Sequence, residues 1–261
     1  MKHFFILLSA SFAILSCNNT ANVKSAEAAT NTDLIQQNLK GKVQRIEETS
    51  FTVDSTGTNK QDSIINISDF DEKGYQPSFS TKDLTGKTHT SQIIKHDDKG
   101  TFLEIVSTKD GKPDFKLETE VDKDGKYTGG KRYDSTEKQD GYFTDLMTNE
   151  NGVVYAGKYH KMNGEIFSTW NAVYKGPLYL GGSSMDSMGK VNYTDTVKLN
   201  DKGDAIEDAT TTKRGADVKT EKTSFKYDSY DDKGNWTQRT TYNEKGKPTK
   251  ITKRTITYYK D

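Results

Sequence analysis

Apolar and polar residues alternate with a period of two along most of this chain. Phe115, Leu117, Thr119 and Val121 fall on one side of such a segment, and Lys116, Glu118 and Glu120 on the other. Val191, Tyr193, Val197 and Leu199 oppose Asn192, Thr194, Thr196 and Lys198 in the same way. Successive side chains of a strand point to opposite faces, so the pattern predicts strands with one apolar and one wetted face. Helical spacing occurs only between Asp33 and Leu39, a turn or two stopped before Gly41.

A short motif punctuates the strands: an acidic residue or Asn, one or two polar residues, then Gly. It reads Phe70-Asp-Glu-Lys-Gly74, His96-Asp-Asp-Lys-Gly100, Val121-Asp-Lys-Asp-Gly125, Asn149-Glu-Asn-Gly152, Asn200-Asp-Lys-Gly203 and Tyr230-Asp-Asp-Lys-Gly234. Asp or Asn first and Gly fourth is the composition of a type I turn closed by a left-handed Gly, a common hairpin loop. The glycines are spaced by 26, 25, 27, 51 and 31 residues, which places a degenerate turn near Gly176-Pro177. Second turns fall at Gly86, Gly111, near Gly141, and at Gly164, Gly189, Gly215 and Gly246. Each repeat of roughly 25 residues is then two strands and two turns. With segments 42–53 and 61–70 added, the expectation is an all-β antiparallel meander of about 16 short strands in a single-layer or curled sheet.

The middle departs from this rule. Eight aromatics fall between Tyr142 and Tyr179, namely Tyr142, Phe143, Tyr155, Tyr159, Phe167, Trp170, Tyr174 and Tyr179, and both faces carry apolar groups. Such strands are either covered on both sides or expose a patch. Trp170, Tyr174, Tyr155 and Tyr159 are the candidate binding residues, a flat platform for a glycan or a protein partner. The competing reading puts these rings in the core, with Ile166 sharing the parity of Trp170. A further alternative is a carrier of lipid or another hydrophobic molecule, with Phe143, Phe167 and Val173 lining a half-barrel.

Composition narrows the class. Only 31% of residues are hydrophobic and 29% are charged, so a thick multilayer core is not expected. There are 38 Lys+Arg and 38 Asp+Glu, for a net charge of zero, without the basic run that nucleic-acid binding needs. A single cysteine excludes an intramolecular disulfide framework.

That cysteine is Cys17, and it follows Lys2, an apolar run from Phe4 to Ile14, and Leu15-Ser16. The run has the form of a secretory signal and is too short to span a bilayer. With Ile14-Leu15-Ser16-Cys17 it resembles the lipobox of bacterial lipoproteins. That resemblance implies removal of residues 1–16 and lipidation of Cys17. Removing residues 1–16 takes away Lys2 and no acid, leaving 37 bases against 38 acids, a net charge of −1. Residues 17–33 read as a lipidated flexible tether, and 34–261 as the repetitive β domain. Asn18 and Asn19 stand where an Asp would resemble an inner-membrane retention signal. An outer-membrane, lipid-anchored location is therefore expected, with the periplasmic face slightly favoured over the cell surface.

The closing segment YDDKGNWTQRTTYNEKGKPTKITKRTITYY at 230–259 and the opening NLKGKVQRIEE at 38–48 resemble those of lipoproteins of Bacteroidota-type bacteria with degenerate YD or RHS-like repeats. The resemblance implies an exported, repetitive β architecture and no catalytic residues. An architectural likeness to single-layer spirochaete surface lipoproteins rests on composition alone.

Catalytic and metal chemistry is not expected. Gly181-Gly-Ser-Ser-Met-Asp186 lacks the second Gly of a nucleophile elbow. The loop from Glu120 has Lys131 where a calcium loop needs a bidentate acid. His89, His96 and His160 lack a metal spacing. No cofactor is called for, and a monomer is expected. Asp followed by Ser or Thr and a small or aliphatic residue resembles the O-glycosylation sites of exported Bacteroidota-type proteins. This marks Ser55, Ser63, Ser135, Ser187 and Thr196, although Thr-rich strands generate such triplets unaided. The reading is a non-enzymatic, lipid-anchored binding or scaffold module of the bacterial cell envelope.

Overall fold

The computed structural model describes residues 32–54, 59–149 and 153–260. Among them one short helix, α1 (Asp33–Gln36), precedes sixteen strands. These are β1 (Val43–Val53), β2 (Asn59–Asp69), β3 (Ser78–Asp83), β4 (Thr88–His96), β5 (Phe102–Lys109), β6 (Lys112–Val121), β7 (Tyr127–Tyr133) and β8 (Gln139–Thr148). The second half comprises β9 (Val154–Lys161), β10 (Ile166–Lys175), β11 (Leu178–Met185), β12 (Val191–Leu199), β13 (Ala205–Arg214), β14 (Asp217–Tyr230), β15 (Trp236–Asn243) and β16 (Pro248–Tyr258).

The turns form as their composition dictates. Asp97 accepts the Gly100 N–H at its carbonyl (3.0 Å) and donates its own N–H to Thr101 (2.9 Å). Its Oδ1 accepts the N–H groups of Lys99 (2.9 Å) and Thr101 (2.8 Å). The side chain thus satisfies two backbone donors that the hairpin ladder leaves over. Asp122, Asn200 and Asp231 repeat the arrangement. Gly176, at φ 58°, closes the degenerate turn between β10 and β11. The other degenerate turn lies not at Gly141 but at Asp134, with Glu137 at φ 62° in the glycine position. Gly141 sits inside β8, where an added Cβ would collide with the Tyr159 ring.

Two turn glycines separate backbone strain from packing. Gly100 and Gly234 have φ of 85° and 86°, but a Cβ at Gly100 would run into the Tyr75 ring while one at Gly234 meets nothing within 4 Å. Valine at Gly234 should cost about 1–2 kcal/mol through its left-handed backbone alone. Valine at Gly100 should cost measurably more in urea unfolding, because Tyr75 loses its seat. Equal midpoints would contradict this.

The expected open or curled sheet is overturned, because the strands form a closed barrel in which β1 pairs with β16. The pairing runs from Val43↔Tyr258 to Thr52↔Lys250. Hairpins joined by short turns bring the last of an even number of strands back antiparallel to the first. Pairing the two edges satisfies backbone donors and acceptors that an open sheet leaves bare. The Tyr259 N–H bonds to the Lys42 carbonyl (2.9 Å) and its hydroxyl to the Phe70 carbonyl (2.8 Å), fastening the seam.

One end of the barrel is plugged. Leu34 and Leu39 of the α1 segment cluster with Val43, Ile46 and Phe70, and Ile256 and Tyr258 pack against them. The plug is pinned on both sides. Asp33 accepts the Gln76 N–H (2.6 Å), and the Asn38 amide donates to Asp204 (2.8 Å) and the Lys202 carbonyl (3.1 Å). The Lys40 N–H and carbonyl both bond to the Asn235 side chain, at 2.8 Å each. Tyrosines link neighbouring turns at this end: the Tyr127 hydroxyl accepts the Phe102 N–H (2.8 Å), Tyr230 donates to Asp204 (2.8 Å), and Tyr258 donates to Asp231. At the opposite end, a Cβ added at Gly86, Gly111, Gly189, Gly215 or Gly246 would meet nothing within 4 Å. No described segment crosses that mouth.

Candidate functional site in the barrel lumen

The plug shows which face of the sheet is internal. Ile46 and Ile256 touch it, and their register partners Glu48↔Arg254 and Ser50↔Thr252 share their face. Followed around the sheet, the register places Gln92, Ser107, Arg132, Tyr159, Trp170, Ser184, Asp195, Asp208 and Arg239 on the inside. These inner groups give the inside of the barrel a mixed polar and aromatic lining, and barrels of sixteen strands are in general wide enough to hold water.

The outer face is charged. Lys95, Glu104, Glu118 and Lys131 stand directly opposite one another across β4 to β7. Arg45 pairs with Asp69 at 2.6 Å, Lys95 with Glu104 at 2.5 Å, and Glu207 with both Lys198 (2.9 Å) and Lys222 (2.7 Å). A Lys or Arg facing lipid at the bilayer midplane costs about 2–4 kcal/mol, and a membrane barrel needs a continuous apolar belt instead. This outer surface is built for water. Among the described residues no helix is long and apolar enough to cross a membrane either.

The wall from β8 to β13 is the richest part of the lumen. Phe143 and Tyr159 are opposite each other with ring centroids 5.0 Å apart, and Phe143 meets Trp170 edge to face at 6.0 Å. Trp170 lies over Gly157, where a Cβ would fall 2.5 Å from the indole. Glycine at these paired positions lets the rings lie along the wall instead of filling the lumen. Trp170 stays half-buried, whereas Tyr159 is buried. Ser184 lies directly across from Trp170 on one side and Tyr193 on the other. One step further along, Asp195 pairs with Gly182 and Thr210, and Asp208 with Val197 and Thr223. Burial pushes the Asp195 and Asp208 carboxyls above the ordinary carboxylate range. Burial and the neighbouring Asp195 push the Tyr179 phenol up, and it donates to Asp195 at 2.8 Å.

The candidate binding residues therefore meet on one face, but not as an exterior platform. Trp170, Tyr155 and Tyr159 belong to the inner face, and Tyr174 is half-buried at a β-bulge, edge-on to Tyr179 at 5.6 Å. Ile166 pairs with His160, and the bulge after it breaks the parity it was expected to share with Trp170. Val173 is 58% exposed on the outer face, so Phe143, Phe167 and Val173 do not line one cavity. Phe167 is the extra residue of that bulge, 40% exposed.

Cys17 and Ser55 lie outside the described residues. Ser63 falls in β2, Ser135 and Ser187 are exposed in turns at the open end, and Thr196 is exposed on the outside of β12. The three histidines are far apart in the fold. His89 bridges Asp110 (2.9 Å) and Asp83 (3.1 Å), whose hydrogen bonds raise its pKa; His96 stacks on Tyr75; and His160 stacks on Tyr142. Sequence reasoning missed Ser184, Asp195 and Asp208, because a polar residue on the nominal apolar face of a strand gives no signal until the lumen is known.

The fold is thus an up-and-down antiparallel barrel with water-compatible inner and outer faces. No family model and no curated protein sequence matches the chain. Among solved structures it is similar to a porin-like protein from Bacteroides uniformis, at TM-score 0.50 and 11% identity, over 82% of this chain and 96% of that one. It also matches TcdB2-TccC3 without its hypervariable C-terminal region, at TM-score 0.30 and 11% identity, over 80% of this chain and 11% of that one. The intact TcdB2-TccC3 gives TM-score 0.26 and 11% identity, over 93% of this chain and 16% of that one. The first likeness is one of fold alone, and the scores of the other two are too low to support more.

Proposed function

We propose that this protein is a lipid-tethered barrel of the bacterial envelope that stands in water and, without catalysis, holds a small polar ligand in its lumen. The observation that carries this reading is the pair of faces: a charged exterior that lipid cannot accommodate, and a polar inner wall with half-buried rings. The described chain begins at the plugged end, with Thr32 capping α1, so the mouth lies at the opposite end from the point where the tether would attach. A carrier of hydrophobic molecules is less well supported, because Gln92, Ser107 and the Glu48–Arg254 pair share the lumen with the aromatics.

The test is fractionation and conductance of the full chain carrying Cys17→Ser. The variant is expected in the aqueous fraction without detergent, with unchanged β-sheet circular dichroism, because anchoring rests on acyl chains and folding on the barrel. Retention in the membrane, or ion conductance across planar bilayers, would overturn the reading.

A further inference from the structure

We infer that the mouth of the barrel carries a site for a neutral sugar ring, set between Phe167 and Asn192 where β10 and β12 each bulge. This rests on the reading of the barrel as a holder of small polar ligands and names the class of ligand. A cavity of about 240 Å³ lies at this rim, lined by Lys161, Ile166, Phe167, Asp186, Ser187 and Asn192. Strand pairing shifts register between Ile166 and Ser168, and again at Asn192, the extra residue between Val191 and Tyr193. A bulge re-aims its extra side chain, and the extra residues of both strands, Phe167 and Asn192, line the same cavity. The cavity borders the lumen. Lys161 stands opposite Gly141, which pairs in turn with Arg132 on the inner face, and Phe167 meets the Tyr159 ring edge to face at 5.8 Å.

The polar groups of this cavity are incompletely bonded. Asn192 Oδ1 is shielded from water and has no hydrogen-bond partner. Asp186 Oδ1 accepts the Met188 and Lys190 N–H groups, both at 3.0 Å, and Asp186 forms no salt bridge among the described residues. Lys161 Nζ pairs with Glu165 at 2.9 Å and lies 6.0 Å from the centre of the Phe167 ring. Charges of both signs therefore border one small space. A cationic ligand meets Lys161 there, and an anionic one meets Asp186. An apolar ligand would cover Asp186 and Asn192 without bonding them, which is costly. A hydroxyl suits all three, because it donates to a carboxylate or amide carbonyl and accepts from an ammonium. Phe167, 40% exposed, adds an apolar ring on which the C–H face of a pyranose can pack. The volume falls below the roughly 300–1,000 Å³ of pockets for drug-sized ligands, which fits a single ring.

The test is a saturation-transfer NMR titration of the full chain carrying Cys17→Ser with four probes: methyl α-D-glucoside, methyl α-D-mannoside, methyl β-D-galactoside and open-chain sorbitol. At least one pyranoside is expected to bind, with transfer strongest to the protons of one ring face, and sorbitol is not. Phe167→Ala and Asp186→Asn should each weaken that binding about tenfold, the loss of one ring contact and of one charge-assisted hydrogen bond. The turn should survive Asp186→Asn, since Asn200 and Asn243 cap their own turns in the same way. Asn192→Ala should weaken binding without lowering the melting temperature, because that side chain makes no hydrogen bond among the described residues. A lowered melting temperature with unchanged binding would make Asn192 structural and remove it from the site. Sorbitol binding as tightly as the pyranosides, unchanged affinity in both Phe167→Ala and Asp186→Asn, or binding of no probe would overturn the sugar site. Failure of the underlying reading shows separately, as membrane retention or bilayer conductance of the same protein.

Discussion

Arg254→Leu is expected to lower stability by about 3–5 kcal/mol, because it strands a carboxylate inside the barrel. Arg254 Nε donates to Glu48 Oε1 at 2.7 Å, and the two side chains are only 14% and 25% exposed. The guanidinium also lies 3.5 Å over the Trp236 ring. Burial pulls the Arg254 pKa below its ordinary value in spite of Glu48, so the pair is held largely out of water. The double variant Glu48→Leu, Arg254→Leu should recover much of the loss, since replacing both charges by apolar groups removes the desolvation cost together with the attraction. Urea unfolding of the two singles and the double closes the cycle. A cost for Arg254→Leu under about 1 kcal/mol would mean the pair behaves like a surface ion pair.

Phe70→Ala should cost a similar amount, about 3–5 kcal/mol, through the cavity it opens under the plug. Phe70 is 2% exposed and packs with Leu34, Leu39, Val43 and Ile46. Its carbonyl also accepts the Tyr259 hydroxyl, so the damage reaches the seam between β1 and β16. Hydrogen exchange should therefore show protection falling in α1, β1, β2 and β16 together. Val173→Ala, on the outer face and 58% exposed, should stay within about 0.5 kcal/mol. Loss confined to the Phe70 turn would indicate an unzipped, repeat-by-repeat sheet instead of a closed one.

These contrasts follow from where a polar-rich chain finds its stability. With 31% hydrophobic residues it cannot fill a sixteen-strand interior. Its buried apolar cluster is placed at the plugged end, and the remaining wall relies on ladder hydrogen bonds and ion pairs. Turn and strand were legible because each is decided locally. The Asp97 and Asp231 turns need only their own side-chain caps and a left-handed Gly, and period-two alternation needs only the strand pleat. Gly141 misled for a related reason: glycine in a strand makes room for a cross-strand ring, and composition alone does not separate that use from a turn.

The turn repeat and the sixteen alternating segments are properties of neighbouring residues, so the sequence alone determined antiparallel strands and their approximate number. Whether the first and last strands meet depends on pairing between distant residues such as Ser50 and Thr252, 202 positions apart. No local pattern encodes that encounter. Closure in turn divides inside from outside. It turned the nominally apolar face of β12 and β13 into a polar inner wall, set Ser184 across from Trp170 and Asp195 across from Gly182, and left Val173 in water. An alternating strand specifies two faces, and only the tertiary structure decides which one is enclosed by the barrel.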